Sequence, residues 1–318
     1  MVLILGVTAS GKGQLAFTLA KSLGAEIISI DSMKVYRRMD IGTAKPPKDA
    51  RRQVKYHLID IVEPSDSFNV GAFLDSAYET IENIKRRNRD PALREPNIPI
   101  IAVGGTALYI KALLYGLFEG PGADRQIRAE LRAQAKAEGL EKLYRQLVKT
   151  DPTAAQRIHP NDSKRIIRAL EVYKITGKPI SHLQQQFKAE KTLHNWTVIG
   201  LRRQKNDTNS RINRRAKNMI EAGFVDEVKS LLTEESAKGG LSQQARYAIG
   251  YAEMIDYLGG KTTMEEATEL IKKNTRRLAK NQRTWFKTFR NVNWLDIEPE
   301  EPAEKIFERT EKLLKSIR

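Results

Sequence analysis

At 318 residues, with 40% hydrophobic and 30% charged, the chain is long enough to bury a substantial core and reads as one large globular domain with an insertion or second lobe. It has no cysteine, which excludes disulfides, thiol nucleophiles and cysteine-ligated zinc; its four histidines, His57, His159, His182 and His194, lack ligand spacing, so any metal is oxygen-bound. The net charge of +16 favours a polyanionic partner, nucleic acid first, through phosphate neutralisation and counterion release, with a basic surface kept for solubility as the plain alternative.

The chain opens on the apolar run "VLILGV" (2–7), a predicted strand that meets a glycine loop at once. Neither a basic leader nor a cleavage site precedes it, and no apolar run reaches membrane-spanning length, so a cytoplasmic protein without membrane contact is expected. Gly6-Val7-Thr8-Ala9-Ser10-Gly11-Lys12 follows that strand and precedes the helical run "GQLAFTLAKSLG", the context of a phosphate loop. There the glycines let backbone N–H groups converge on phosphate oxygens, the helix N-terminus adds partial positive charge and Lys12 a full one. In nucleotide hydrolases the next residue is Ser or Thr, whose hydroxyl ligates Mg²⁺. Here it is Gly13, which argues against an ordinary ATPase or GTPase and permits a loop that holds a pyrophosphate leaving group.

The second predicted strand, "EIISID" (26–31), ends in Asp31, followed by Ser32-Met33-Lys34-Val35-Tyr36. Expected beside the strand that bears the phosphate loop, Asp31 is a candidate base or metal ligand, or alternatively a helix N-cap. "HLIDIV" (57–62) is a third expected strand and "IPIIAVGG" (98–105) a fourth. The fourth ends in glycines rather than the Asp of an NTPase, and its continuation "VGGTALY" places Thr106 to cap the next helix, to face the same crevice, or both. About ninety residues without a convincing strand follow, expected as a helical insertion entered at "EGPGAD" and left near 186–196. "WTVIGLR" (196–202) and "NVNWLDI" (291–297) are the last expected strands, and between them lie the basic helical stretches "RINRRAKNMIEAGFVDEVKSLL", broken at Gly223, and "TMEEATELIKKNTRRLAKNQRTWFKTF". Strands apolar on both faces suit a parallel sheet covered by helices, an α/β fold with a P-loop core and a helical insertion domain. The expected division is 1–120 plus 190–318 for the core and 121–189 for the insertion.

Taken together, "GVTASGK", "DSMKVY", "MDIGTAKP", "HLIDIV", "VGGTALY", "RIHPNDSKRIIRALEVYKITGKPIS", "AIGYAE" and "TRRLAKNQRTWF" strongly resemble the tRNA dimethylallyltransferases, in collinear order from Leu3 to about Phe286. The resemblance implies transfer of a dimethylallyl group from dimethylallyl diphosphate to N6 of adenosine 37, beside the anticodon of tRNA. It implies Asp31 as general base, Thr106 beside the reacting amine, and the loop from Gly6 to Gly13 with Lys12 and Arg215 on the diphosphate, Arg211 and Arg214 being close neighbours of Arg215. It implies tRNA contacts from Asp31, Ser32, Met33, Lys34 and Thr106, from Arg128, from Lys164, Arg165, Ile166, Ile167 and Arg168, and from Tyr247, Ala248, Ile249, Gly250, Tyr251 and Ala252. Arg165 and Arg168 are expected to share a helix face, with a solvated charge run as the alternative. Mg²⁺ is the implied cofactor and a monomer the implied state.

Four positions depart from the family pattern. Gly13 stands for a usual Thr, so Mg²⁺ falls to water, Asp31 or diphosphate oxygens. Lys34 stands where Gln is frequent, and Ala252 and Asn281 replace residues that are commonly basic. An adenylate prenyltransferase is the nearest alternative function, disfavoured by the insertion and the basic charge; a P-loop nucleoside kinase or NTPase is disfavoured by Gly13 and the missing strand-end Asp.

Overall fold

The computed structural model describes residues 1–90, 97–117, 120–184, 192–237 and 239–317. In chain order the elements are β1 (Val2–Gly6), α1 (Lys12–Leu23), β2 (Glu26–Ile30), α2 (Lys48–Gln53), β3 (Tyr56–His57), α3 (Val70–Arg89), β4 (Ile100–Gly104), α4 (Ala107–Tyr115), α5 (Arg125–Glu138), α6 (Leu140–Thr150), α7 (Pro152–Ala155), α8 (Ser163–Thr176) and α9 (Ile180–Leu183). They continue with β5 (Thr197–Arg203), α10 (Lys205–Glu221), α11 (Phe224–Ser236), α12 (Gln243–Arg246), α13 (Tyr251–Leu258), α14 (Met264–Phe286), β6 (Val292–Ile297) and α15 (Ala303–Ile317). Contacts divide the chain into two compact units, Met1–Leu114 with His194–Arg318, and Tyr115–Leu193. Among the described residues no helix is long and apolar enough to cross a membrane.

The first unit is built on a six-stranded, all-parallel sheet in the order β3-β2-β4-β1-β5-β6. Its inner strands are apolar on both faces because helices cover both, and Leu3, Ile4, Leu5, Ile27, Ile28 and Ile101 are fully buried. On one face Leu15 and Leu19 of α1 and Ile306 of α15 pack against Ile4, Ile27, Ile101 and Ile199. The long helix α14 starts at a reciprocal cap: the Thr263 hydroxyl accepts from the Glu266 N–H while the Glu266 carboxylate accepts from the Thr263 N–H. As expected, Gly223 breaks the basic stretch into α10 and α11, with φ of 90°.

Two expectations are corrected here. The run 57–62 is not a strand beyond His57, because Leu58 (φ 59°) and Asp60 (φ 56°) take left-handed conformations that turn the chain away from the ladder. Side chains hold that turn: the Asp60 carboxylate accepts from Lys45 Nζ at 2.5 Å and from Arg51 at 2.6 Å, while Ile61 and Val62 donate to the carbonyl of Val35. Nor does the strand ending at Asp31 adjoin the strand bearing the phosphate loop, since β4 lies between β2 and β1. At the end of β4 a Cβ on Gly104 would lie 2.0 Å from the Ile30 carbonyl oxygen, so only glycine admits this approach.

In the second unit, α5, α6 and α8 pack around Leu131, Leu143, Leu147, Ile166, Leu170 and Val172. Helix α8 is capped by the Asp162 carboxylate accepting from the Arg165 N–H, and ends at Gly177 in the left-handed region. The expected exit near 186–196 and the first residue of the expected entry at "EGPGAD" lie partly outside the described residues.

Candidate active site

The loop between β1 and α1 is held by arginine side chains that take two of its carbonyls. Arg203 Nε donates to the Ser10 carbonyl at 2.9 Å and Arg211 Nε to the Ala9 carbonyl at 2.8 Å. Ala9 (φ 62°) and Gly11 (φ 94°) take left-handed conformations that curl the backbone into a tight turn at the start of α1, a geometry that can present N–H groups to an anion. Lys12 Nζ bonds back to the Val7 carbonyl at 3.1 Å, and Arg215, one turn along α10 from Arg211, donates to the Thr8 hydroxyl at 3.3 Å. A Cβ placed on Gly13 would meet nothing within 4 Å, so this position leaves open space where a hydroxyl would stand.

A cavity of about 980 Å³ opens over this loop and is lined by Thr8, Lys12, Gly13, Asp31, Thr106 and Arg215, with Lys34 and Tyr247 also on its wall. Asp31 reaches it from the far side of β4, whose glycine end brings no side chain of its own, while Gln282 and Lys12 lie over Gly105. Asp31 Oδ1 accepts from the N–H groups of Met33 and Lys34, which fixes the carboxylate, and the Thr106 hydroxyl accepts from the Ser32 N–H at 3.1 Å. Thr106 thus tethers the segment after β2 to the head of α4, where its carbonyl also accepts from Ile110.

Lys12, Lys34 and Arg215 gather around Asp31 in this cavity, whose wall also includes Lys45 and Asp49. Burial, with Lys34 and Arg215 close by, brings the Lys12 ammonium down to about 7 despite the opposing pull of Asp31. Burial likewise lowers Lys34, helped by Arg215 and Lys45 and opposed by Asp31, and lowers Arg215. A site that penalises its own cations when empty favours an anion of several charges.

Comparison with known proteins decides the lineage. The sequence profile described as IPP transferase matches residues 34–289, and one described as isopentenyl transferase matches residues 1–60. The chain belongs to the IPP transferase family. It is 43% identical over 296 residues to the tRNA dimethylallyltransferase of Geobacter metallireducens, covering 93% of this chain and 92% of that one. To the tRNA dimethylallyltransferase of Thermotoga petrophila it is 43% identical over 310 residues, covering 97% and 96%. Among solved structures, the tRNA isopentenylpyrophosphate transferase of Bacillus halodurans is similar at a TM-score of 0.68 and 40% identity, covering 99% of this chain and 95% of that one. A eukaryotic dimethylallyltransferase acting on tRNA is similar at 0.79 and 26%, covering 99% and 79%.

In this IPP transferase family member, Gln282 of α14 ties the two halves of the site together. Its Oε1 accepts from the Thr8 N–H at 2.8 Å and its Nε2 donates to the Gly105 carbonyl at 2.8 Å. Sequence reasoning quoted "NQRTWF" without singling out this amide, whose partners lie 274 and 177 positions away. Arg211, named from sequence only as a neighbour of Arg215, holds the loop through the Ala9 carbonyl, whereas Arg203, like Gln282, is invisible to sequence spacing. Glu227 is another: it accepts from the N–H groups of Asp40, Ile41 and Gly42 and from the Tyr251 hydroxyl at 2.6 Å, fixing the "DIG" turn at the cavity wall. Of the 247–252 segment, Tyr247 is 71% exposed at the cavity, Ala248 and Tyr251 are buried, and Gly250 has φ of 96°.

The second unit separates its sequence-predicted residues into two sets. Ile166 and Ile167 are buried in its core, so their side chains serve packing. Arg128 and Arg168 both bond to Glu171, whose side chain is fully buried, at 2.8 Å and 2.7 Å, and Arg168 also reaches the carbonyls of Pro121 and Gly122. Burial works against the Glu171 charge, but the bonds from Arg128, Arg168 and the Asp124 N–H hold its carboxyl below the usual range. Arg165, by contrast, is exposed and only loosely paired with Asp162 at 3.5 Å, and Lys164 is exposed beside it.

Proposed function

We propose that the chain transfers a dimethylallyl group from dimethylallyl diphosphate to N6 of adenosine 37 in tRNA, releasing diphosphate. The observation that carries this reading is that the phosphate loop with Lys12, and Asp31 from the other side of β4, line one cavity at the carboxyl ends of the parallel strands. The cavity of about 980 Å³ accommodates a diphosphate, an allylic carbon and an incoming amine in sequence. The diphosphate lies on the loop N–H groups, Lys12 and Arg215, which stabilise the charge that develops as the allylic C–O bond breaks. The N6 amine is a weak nucleophile because its lone pair is delocalised into the purine. Its attack on the allylic carbon forms the C–N bond while Asp31 takes the proton, a contribution on the order of 10²- to 10⁴-fold. An adenine in a loop must leave its stack to arrive there, and the exposed Tyr247 ring offers a surface for a neighbouring base.

Mg²⁺ fits this donor set as a substrate-borne ion. Among the described residues no three His, Asp or Glu side chains cluster as a metal cage, and Asp31 supplies one carboxylate. Mg²⁺ is commonly bound by one or two carboxylates together with substrate phosphates and waters. Bound so, the ion neutralises diphosphate charge. For the second unit, exposed Lys164 and Arg165 are the residues available to tRNA phosphates, while Arg128 and Arg168 hold the fold beneath them. The test supplies labelled dimethylallyl diphosphate with tRNA, with AMP, or replaces it with ATP alone. Label in tRNA at adenosine 37 is expected; label in AMP instead, or ATP hydrolysis without transfer, overturns the reading.

A further inference from the structure

Lys34 lines the same cavity as Lys12 and Arg215, yet its ammonium has no hydrogen bond or ion pair among the described residues. Its backbone is fixed: the N–H donates to Asp31 Oδ1, and the carbonyl accepts from the Asp60 N–H. A positioned, part-buried cation that Asp31 favours without bonding it, and that Arg215 and Lys45 oppose, is costly unless a ligand completes it. The other two cations are scarcely better served by the protein, for Lys12 has a carbonyl and Arg215 a hydroxyl. An alkyl diphosphate carries roughly three negative charges near neutral pH, by the same ionisation as a phosphomonoester. Meanwhile the space beside Gly13 offers no oxygen to a metal ion.

We propose that Lys34 is a third diphosphate-binding cation, adding its charge to those of Lys12, Arg215 and a substrate-borne metal ion on the leaving group. The proposal rests on the reading of the cavity as a prenyl diphosphate site. It places the Lys34 charge on the diphosphate rather than on an RNA phosphate, because the ammonium shares its cavity wall and its electrostatic field with Lys12 and Arg215.

The experiment titrates inorganic pyrophosphate by calorimetry into the full-length chain, in EDTA and in saturating Mg²⁺, for the wild type, Lys34→Gln and Lys34→Arg. In EDTA the wild type binds, Lys34→Gln binds on the order of 10- to 100-fold more weakly, and Lys34→Arg stays within a few-fold of wild type. In Mg²⁺ the deficit of Lys34→Gln narrows. Because the substitution removes a buried, unpaired cation, the melting temperature of ligand-free Lys34→Gln is not reduced, which separates the effect from a folding defect. Equal affinity of wild type and Lys34→Gln in EDTA overturns the proposal, as does a deficit that Mg²⁺ leaves unchanged. The titration needs neither tRNA nor turnover, so a wild type that binds pyrophosphate through Lys34 but modifies no tRNA sinks the functional reading alone.

Discussion

A lysine that titrates near 7 in a phosphate loop has a measurable consequence: binding of an anion must return its proton. In the free protein burial, with Lys34 and Arg215, brings Lys12 from 10.5 to about 7, which corresponds to at most about 5 kcal/mol against charging it, less whatever water in the open cavity screens. At pH 7 about half of the free molecules therefore carry a neutral Lys12, and by pH 8.5 nearly all do. A diphosphate on the loop restores the ammonium, so binding takes up about half a proton at pH 7, rising towards one at pH 8.5. Since the folded-state value is depressed, ligand-free stability is lowest below pH 7 and rises with pH between about 7 and 10.5, where the unfolded chain holds the extra proton. The perturbation is Lys12→Arg, which keeps the charge and does not titrate in this range. Calorimetry of pyrophosphate binding in buffers of different ionisation enthalpy reads the uptake. Subtracting the Lys12→Arg value removes the ligand's own proton changes. Equal uptake by both proteins at pH 7 and pH 8.5 would refute the argument.

Gln282→Leu leaves the Thr8 N–H and the Gly105 carbonyl without partners, at about 1–3 kcal/mol for each buried group; a lowered melting temperature and weaker pyrophosphate binding are expected, and no change in either would remove Gln282 as the tie between the loops. Arg165→Ala is expected to preserve stability and to lower the slope of tRNA affinity against salt by about one, whereas Arg168→Ala, which uncovers Glu171, costs about 1–3 kcal/mol in a denaturant melt. A salt slope unaltered by Arg165→Ala would leave that side chain as surface charge.

Five strands and the long helices are legible because the relevant signals are local: β-branched runs for β1, β2, β4, β5 and β6, and helical periodicity for α14. "HLIDIV" misled because a left-handed Asp60 held by Lys45 and Arg51 leaves no trace in an apolar pattern. Strand order was equally hidden. The glycines of "VGGT" were read as the absence of a metal-binding Asp, while their structural work is to let β4 pass under a cavity shared by Lys12 and Asp31. The site residues that announce themselves in motifs, Lys12, Asp31 and Thr106, meet in that cavity. Those that hold them, Gln282, Arg203, Arg211 and Glu227, act on backbone groups far away in sequence, and no spacing rule encodes such partners.

The account depends most on Asp31 removing the amine proton from across β4. Its most direct test is the single-turnover rate of label transfer to tRNA by Asp31→Asn, measured alongside tRNA and pyrophosphate affinity. A fall on the order of 10²- to 10⁴-fold with both affinities retained is predicted, and a near-normal rate would contradict the account.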